Sequence, residues 1–131
     1  MKVFTTDKIR NVVVLGHSGA GKTSLVSAMS NIATGTKMRT TEPAATTQTV
    51  VQPILWEDHK INILDAPGSY DFVGEIEEAV GVADAAIIVI SGKNGVENGT
   101  RKAWALCEKY HLPRIVYVSD MDIDDVSFKN V

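Results

Sequence analysis

Gly16-His17-Ser18-Gly19-Ala20-Gly21-Lys22-Thr23 is the stretch on which the reading of this chain turns. Glycine at 16, 19 and 21 lets the backbone curl until several N–H groups point into one concavity. Such a concavity suits phosphate oxygens. Lys22 adds a cation on a long stem, able to reach the β and γ phosphates of a nucleotide. The Thr23 hydroxyl is an oxygen of the kind Mg2+ takes as ligand. The spacing is G-x-x-x-x-G-K-[ST], the phosphate-binding loop.

The flanks carry the rest of that motif. Asn11-Val12-Val13-Val14-Leu15 is an apolar, β-branched run directly before the loop. It predicts a buried strand over 9–15. Leu25, Ala28, Met29 and Ile32 recur at helical spacing after it and predict a helix over 22–33, with those four turned inward. A helix there points its positive end at a bound anion. His17 lies inside the loop, where side chains point outward, and is given no catalytic role.

Bulk properties bound the alternatives. A chain of 131 residues is one domain at most, and 44% hydrophobic residues supply a core. A net charge of −3 argues against a nucleic-acid surface on this segment. No apolar run reaches the roughly 18 residues of a membrane span. Met1 to Arg10 has no apolar signal core. Cys107 is the single cysteine, so neither a disulfide framework nor a cysteine metal cluster is expected, and a cytoplasmic, reducing compartment is the default. Cys107 falls at helical spacing with Ala103, Leu106 and Tyr110, which points to core packing.

Downstream, residues 34–48 have no period and are dense in Thr. Two readings stand for them: a switch segment of a nucleotide hydrolase, or a plain surface connection. Thr49 to Trp56 reads as a strand, at a sheet edge because Pro53 cannot donate to a ladder. Glu57-Asp58-His59-Lys60 reads as a polar turn, and Ile61 to Leu64 as the antiparallel partner strand. That strand runs into Asp65-Ala66-Pro67-Gly68. A carboxylate ending a buried strand 43 positions after Lys22 can hold a Mg2+ shell through water. Gly68 can offer its N–H to a γ-phosphate because no Cβ blocks the approach. Lys22 and Gly68 are therefore the candidate catalytic residues.

Asp71 is a candidate cap for a helix with Ile76, Ala79 and Val80 inward and Glu75, Glu77 and Glu78 mostly outward. Ala85 to Ile90 reads as a strand covered on both faces, Gly92 to Asn98 as a loop, and Thr100 to Tyr110 as a helix stopped by Pro113. His111, at the end of that helix, reads as a partner of its dipole. Arg114 to Val118 is the last strand. Asp120 to Asp125 is acidic but lacks EF-hand spacing. The order β-α-β-β-α-β-α-β predicts an α/β fold. Its sheet is mostly parallel with one antiparallel edge strand, helices lie on both faces, and a nucleotide binds at the carboxyl ends of the strands.

In combination these stretches resemble the G domain of translational GTPases, in particular elongation factor G and its ribosomal-protection and elongation-factor-G-like relatives. The residues that carry the resemblance are G-H-S-G-A-G-K-T-S-L at 16–25, I-N-I-L-D-A-P-G at 61–68, D-F-V-G-E-I-E-E-A at 71–79, V-A-D-A-A-I-I-V-I at 82–90 and K-Y-H-L-P-R-I-V-Y-V at 109–118. The resemblance implies GTP or GDP and Mg2+ as ligands and the ribosome as partner of the complete protein. By position it implies that Gly16, His17, Ser18, Gly19, Ala20, Gly21, Lys22, Thr23 and Ser24 cradle phosphate. It also implies that Thr23 and Asp65 serve Mg2+ and that Gly68 senses the γ-phosphate.

Four departures from that family pattern qualify what it implies. The 34–48 segment is short and lacks the Arg-Gly-Ile-Thr-Ile signature; counting back from Trp56 puts Thr46 where the Mg2+-binding threonine would fall. Ser69 stands where these factors carry a histidine that orients the attacking water. Ser119-Asp120-Met121-Asp122 matches the guanine-reading Asn-Lys-x-Asp with Ser for Asn and Asp for Lys, leaving Ser119 and Asp122 as candidate base contacts. Finally, the chain stops before the last strand and helix of that fold. The expectation is therefore one GTP-binding domain over 1–131, incomplete at its C-terminal end, with weak hydrolysis. The alternative is a non-hydrolysing nucleotide-binding relic or interaction module with reduced base specificity.

Overall fold

The computed structural model describes residues 3–35, 48–69, 73–124 and 126–130. Thr46, Asp71, Asp125 and nearly all of the 34–48 segment, as sites of the expectations above, lie outside the described residues.

Valine, isoleucine and leucine, stiff at χ1 and suited to the pleat, dominate the strands. After a short 3-10 turn at Thr6–Lys8, the elements run β1 (Ile9–Gly16), α1 (Lys22–Thr34), β2 (Val50–Trp56), β3 (His59–Asp65), α2 (Val73–Gly81), β4 (Ala85–Ser91), α3 (Asn98–Lys109) and β5 (Arg114–Ser119). A second 3-10 turn covers Phe128–Asn130. One five-stranded sheet has the order β2-β3-β1-β4-β5. β1 pairs in parallel with β3 and β4, β4 pairs in parallel with β5, and only β2 runs antiparallel, against β3. Pro53 sits on β2, at the sheet edge, as its missing N–H requires.

The side-chain period of two divides the core into two halves. Val13 and Leu15 of β1, Leu64 of β3 and Ala86, Ile88 and Ile90 of β4 face one side. There they meet Ile76, Ala79 and Val80 of α2 and Ala103, Leu106 and Cys107 of α3. Val12 and Val14, Ile61 and Ile63, and Ile87 and Val89 face the other side, against Leu25, Val26, Met29 and Ala33 of α1. Val13, Val14, Ile63, Ile88 and Val89 are wholly buried, each worth about 1.5–3 kcal/mol relative to exposure. The α/β architecture with helices on both faces is as the sequence predicts.

Three local expectations are corrected. Ile32 is 70% exposed, because the inward stripe of α1 through Leu25, Val26, Met29 and Ala33 is centred about a fifth of a turn away and leaves Ile32 at its rim. The β2–β3 turn is two residues long rather than four. Glu57 takes a left-handed φ of 54°, and His59 and Lys60 already pair with Trp56 and Leu55. Finally, α3 starts at Asn98, inside the expected loop. Glu97 caps it, accepting from the N–H of Thr100 while the Thr100 hydroxyl accepts from the N–H of Glu97.

Candidate functional site

Parallel pairing brings the carboxyl ends of β1, β3 and β4 to one rim of the sheet, with Val14 opposite Asp65 and Gly16 opposite Val89. The loop between β1 and α1 rises from that rim. Gly16, Gly19 and Gly21 all have positive φ, the curl inferred from the motif. The N–H of Ala20 closes a turn on the carbonyl of His17 at 3.2 Å. Ser18 and Gly19 are exposed at the loop tip, and Ala20 is buried.

Lys22 opens α1 and is only 6% exposed. Its ammonium donates back into the loop, to the carbonyl oxygens of His17 at 2.9 Å and Gly16 at 3.3 Å. Burial pushes its pKa down from the ordinary lysine value, against the pull of the Asp65 carboxylate. Asp65, at the end of β3, is 3% exposed. Its Oδ2 accepts from the Thr23 hydroxyl at 2.7 Å, while its Oδ1 is buried with no hydrogen-bond partner among the described residues. Burial raises the Asp65 pKa even though Thr23 and Lys22 both pull it down. A loop of donors, a buried ammonium and a buried carboxylate beside a hydroxyl thus converge at one rim.

Gly68 lies against this loop. A Cβ there would fall 2.8 Å from the Ser18 Cα and also overlap the Lys22 ammonium, so only glycine lets the 65–69 turn approach so closely. The backbone at 68 therefore passes close to the Lys22 ammonium. β5 reaches the loop from the other side: the Ser119 hydroxyl donates to the Ala20 carbonyl at 2.9 Å.

The structure therefore gathers residues 16–23, Asp65, Gly68 and Ser119 at one rim, while Ser24 faces solvent on the first turn of α1. Asp122 is exposed in the turn that follows β5. Asp120 takes a left-handed φ of 57°, and its carboxylate accepts from the buried Ser91 hydroxyl at 2.6 Å. It turns toward β4.

His17 is a correction. Its side chain does not point out to solvent: Nδ1 accepts from the N–H of Gly99 at 3.3 Å and Nε2 lies 3.5 Å from a carboxylate oxygen of Glu97. Motif reading alone misses Glu97 and Gly99. Glu97-x-x-Thr100 is the reverse of the usual helix-start spacing, so the sequence gives no ready signal for them.

Known proteins share the sequence and fold of this chain. A family model described as "Elongation factor Tu GTP binding domain" matches residues 34–131. "Ribosome-releasing factor 2, mitochondrial" of Drosophila melanogaster is 32% identical over 139 residues, spanning 95% of this chain and 19% of the relative. The protein of that name from Anopheles gambiae is 31% identical, over 92% of this chain and 18% of its own length. A crystal structure of a protein from Thermus thermophilus superposes with a TM-score of 0.76 at 39% identity, covering 85% of this chain and 19% of that one. Translation elongation factor SelB of Methanococcus maripaludis, in complex with the GTP analogue GppNHp, superposes with the same TM-score of 0.76 over 93% of this chain and 24% of its own. At 24% identity that likeness speaks to the fold. The chain spans about a fifth of the length of the relatives it matches.

Proposed function

Because this chain belongs to the elongation factor Tu GTP-binding domain family, we propose that it binds Mg2+ complexes of GTP and GDP at the rim formed by the ends of β1, β3 and β5. It would act as the guanine-nucleotide domain of an elongation-factor-G-like translational GTPase that hydrolyses GTP slowly. The observation that carries this is the constellation of buried Lys22 and Asp65 with half-buried Thr23, and above all the Asp65 Oδ1, which finds no partner among the described residues. Burying a carboxylate oxygen without a partner is costly. A hydrated cation held beside the Thr23 hydroxyl would satisfy it.

The donor set fits Mg2+: two hard oxygen ligands, with room for water and phosphate oxygens. Thr23 and Asp65 would hold it, and the ion would neutralise charge on the phosphate oxygens. Thr46 is proposed as a further ligand. Lys22, which gives two of its three N–H donors to the Gly16 and His17 carbonyls, would turn the third to phosphate oxygens, and the amides of residues 16–24 would complete the cradle. Gly68 would donate its N–H to the γ-phosphate. Phosphoryl transfer also needs a water held in line. Ser69, the first residue after Gly68, has a hydroxyl on a one-carbon stem, which supports a slow reaction.

Ser119 and Asp122 are the proposed base contacts. Asp122 can accept from the N1–H and the amino group of guanine. With Asp120 turned onto Ser91, no lysine-like cation stands beside the base, which supports a reduced preference for guanine. The partner proposed for the complete protein is the ribosome, from the printed name of the insect relatives. A nucleic-acid surface on this segment is not part of the proposal. No helix among the described residues is long and apolar enough to cross a membrane. A reducing compartment, cytoplasmic by default, is proposed because the single cysteine, Cys107, is fully buried and free.

Calorimetric titration of the chain with GDP, with and without Mg2+, tests the proposal. Mg2+-dependent binding that is lost in Lys22→Ala is the expected result. A folded chain that binds nothing at millimolar nucleotide refutes it.

A further inference from the structure

His17 does two things at once. Its carbonyl accepts from the Lys22 ammonium and from the Ala20 N–H, at 2.9 and 3.2 Å. Its imidazole leaves the loop in the other direction and accepts from the N–H of Gly99, the second residue of α3. The first N–H groups of a helix have no partner within the helix. Glu97 takes the N–H of Thr100, and His17, 82 positions away in sequence, takes that of Gly99. With Nδ1 accepting, the proton of a neutral imidazole sits on Nε2, facing the Glu97 carboxylate at 3.5 Å.

The contact is also tight. A Cβ at position 99 would fall 2.7 Å from the His17 Cβ and 2.8 Å from Nδ1, inside any real contact distance, and would overlap the His17 Cα as well. The first turn of α3 is thus pressed against the loop backbone at the residue whose carbonyl holds Lys22.

We propose that His17 is a positioning residue for the nucleotide site: its imidazole braces the phosphate loop on the start of α3, and through its own carbonyl that brace sets where the Lys22 ammonium stands. The inference deepens the proposed function and rests on it for its effect on nucleotide. The brace itself is a property of the ligand-free fold. Glycine at 99 is what permits it, and Glu97 serves α3 and the imidazole together.

The test pairs two measurements on the full chain: amide hydrogen exchange without ligand, and GDP affinity with Mg2+. His17→Ala removes the acceptor. His17→Asn keeps one near the Nδ1 position. Gly99→Ala drives the helix off the loop with the imidazole intact. In His17→Ala, the amides of residues 17–21 should exchange about tenfold faster while those of β4 stay protected. GDP binding should weaken about fivefold, the scale of one lost hydrogen bond. His17→Asn should restore most of both, which a general loss of stability could not do. Gly99→Ala should copy or exceed His17→Ala. Unchanged exchange and affinity in His17→Ala, or failure of His17→Asn to rescue, overturns the brace. If the unmutated chain binds no GDP while loop exchange still responds to His17→Ala, the nucleotide reading falls and the brace stands.

Discussion

Asp65→Asn should make the ligand-free chain more stable and the nucleotide-bound chain less so. In the free protein the carboxylate is 3% exposed, accepts a hydrogen bond from Thr23 and has no partner for Oδ1 among the described residues. Its pKa is raised by burial despite the downward pull of Thr23 and Lys22, so the desolvation cost exceeds both attractions together. An asparagine keeps an acceptor for the Thr23 hydroxyl and removes the charge. The exchange weakens a charge-assisted hydrogen bond by about 0.5–1 kcal/mol and relieves a somewhat larger burial cost. A net gain of a few tenths of a kcal/mol follows, or roughly 1–2 °C in Tm for a domain of this size.

The pH dependence fixes the sign independently. A carboxyl that holds its proton more tightly in the folded than in the unfolded chain adds stability below its unfolded value, and that contribution is lost as pH rises through the folded value. The gap between the variant and wild type should therefore open as pH climbs above the ordinary Asp value of 3.8 and stay open to neutrality. Thermal melts of both proteins across that range, repeated with saturating GDP and Mg2+, give both readings. With ligand the order should reverse, because the variant lacks the charge that holds the cation. A ligand-free Asp65→Asn that melts below wild type at neutral pH, or an unchanged Mg2+-dependent rise in Tm, would refute the reasoning.

Lys22→Ala should cost about 2–4 kcal/mol of nucleotide affinity, read by titration, since it removes the buried cation from a set of charge-assisted bonds. Ser69→His should raise single-turnover GTP cleavage by roughly tenfold or more if water orientation is the defect. A wild-type rate already far above the Lys22→Ala background would show that Ser69 is adequate. Competition between GTP and ATP should favour GTP modestly, and Asp122→Ala should abolish the preference by removing about 1–3 kcal/mol; equal competition in wild type would remove Asp122 from the site. Nucleotide at a hundred times its Kd should add about 2.7 kcal/mol and lift the Tm by roughly 10 °C, so a ligand-insensitive melt counts against the whole site.

The sequence makes the sheet legible because both kinds of strand sign themselves: Ala85–Ile90 as an unbroken apolar run, Val50–Trp56 by the proline that only an edge tolerates. The phosphate loop is legible because glycine, lysine and threonine at fixed spacing describe its backbone directly. Three features are harder to see. The stripe of α1 is misplaced at Ile32 because apolar residues crowd adjacent faces of that helix, and only the sheet decides which face is buried. The early start of α3 is hidden because Glu97 and Asn98 read equally well as loop. The His17–Gly99 contact joins residues 82 apart, and no local pattern encodes it.

The order of the strands has a consequence for how the chain is made. β1 is the centre of the sheet but the first strand to be synthesised, and Val12 meets its β4 neighbour only at Ala85, 73 residues later. At about 5–20 residues per second the Val12–Leu15 run waits roughly 4–15 s for that partner. During that interval the β2–β3 hairpin, closed by a two-residue turn, is the one piece of the sheet able to form from neighbours alone. Until then β3 is the neighbour within reach of β1, and the other edge of β1 stays unpaired for seconds, long compared with the microseconds in which a hairpin closes. Shielding that edge before residue 85 appears is therefore a demand that the strand order itself places on folding.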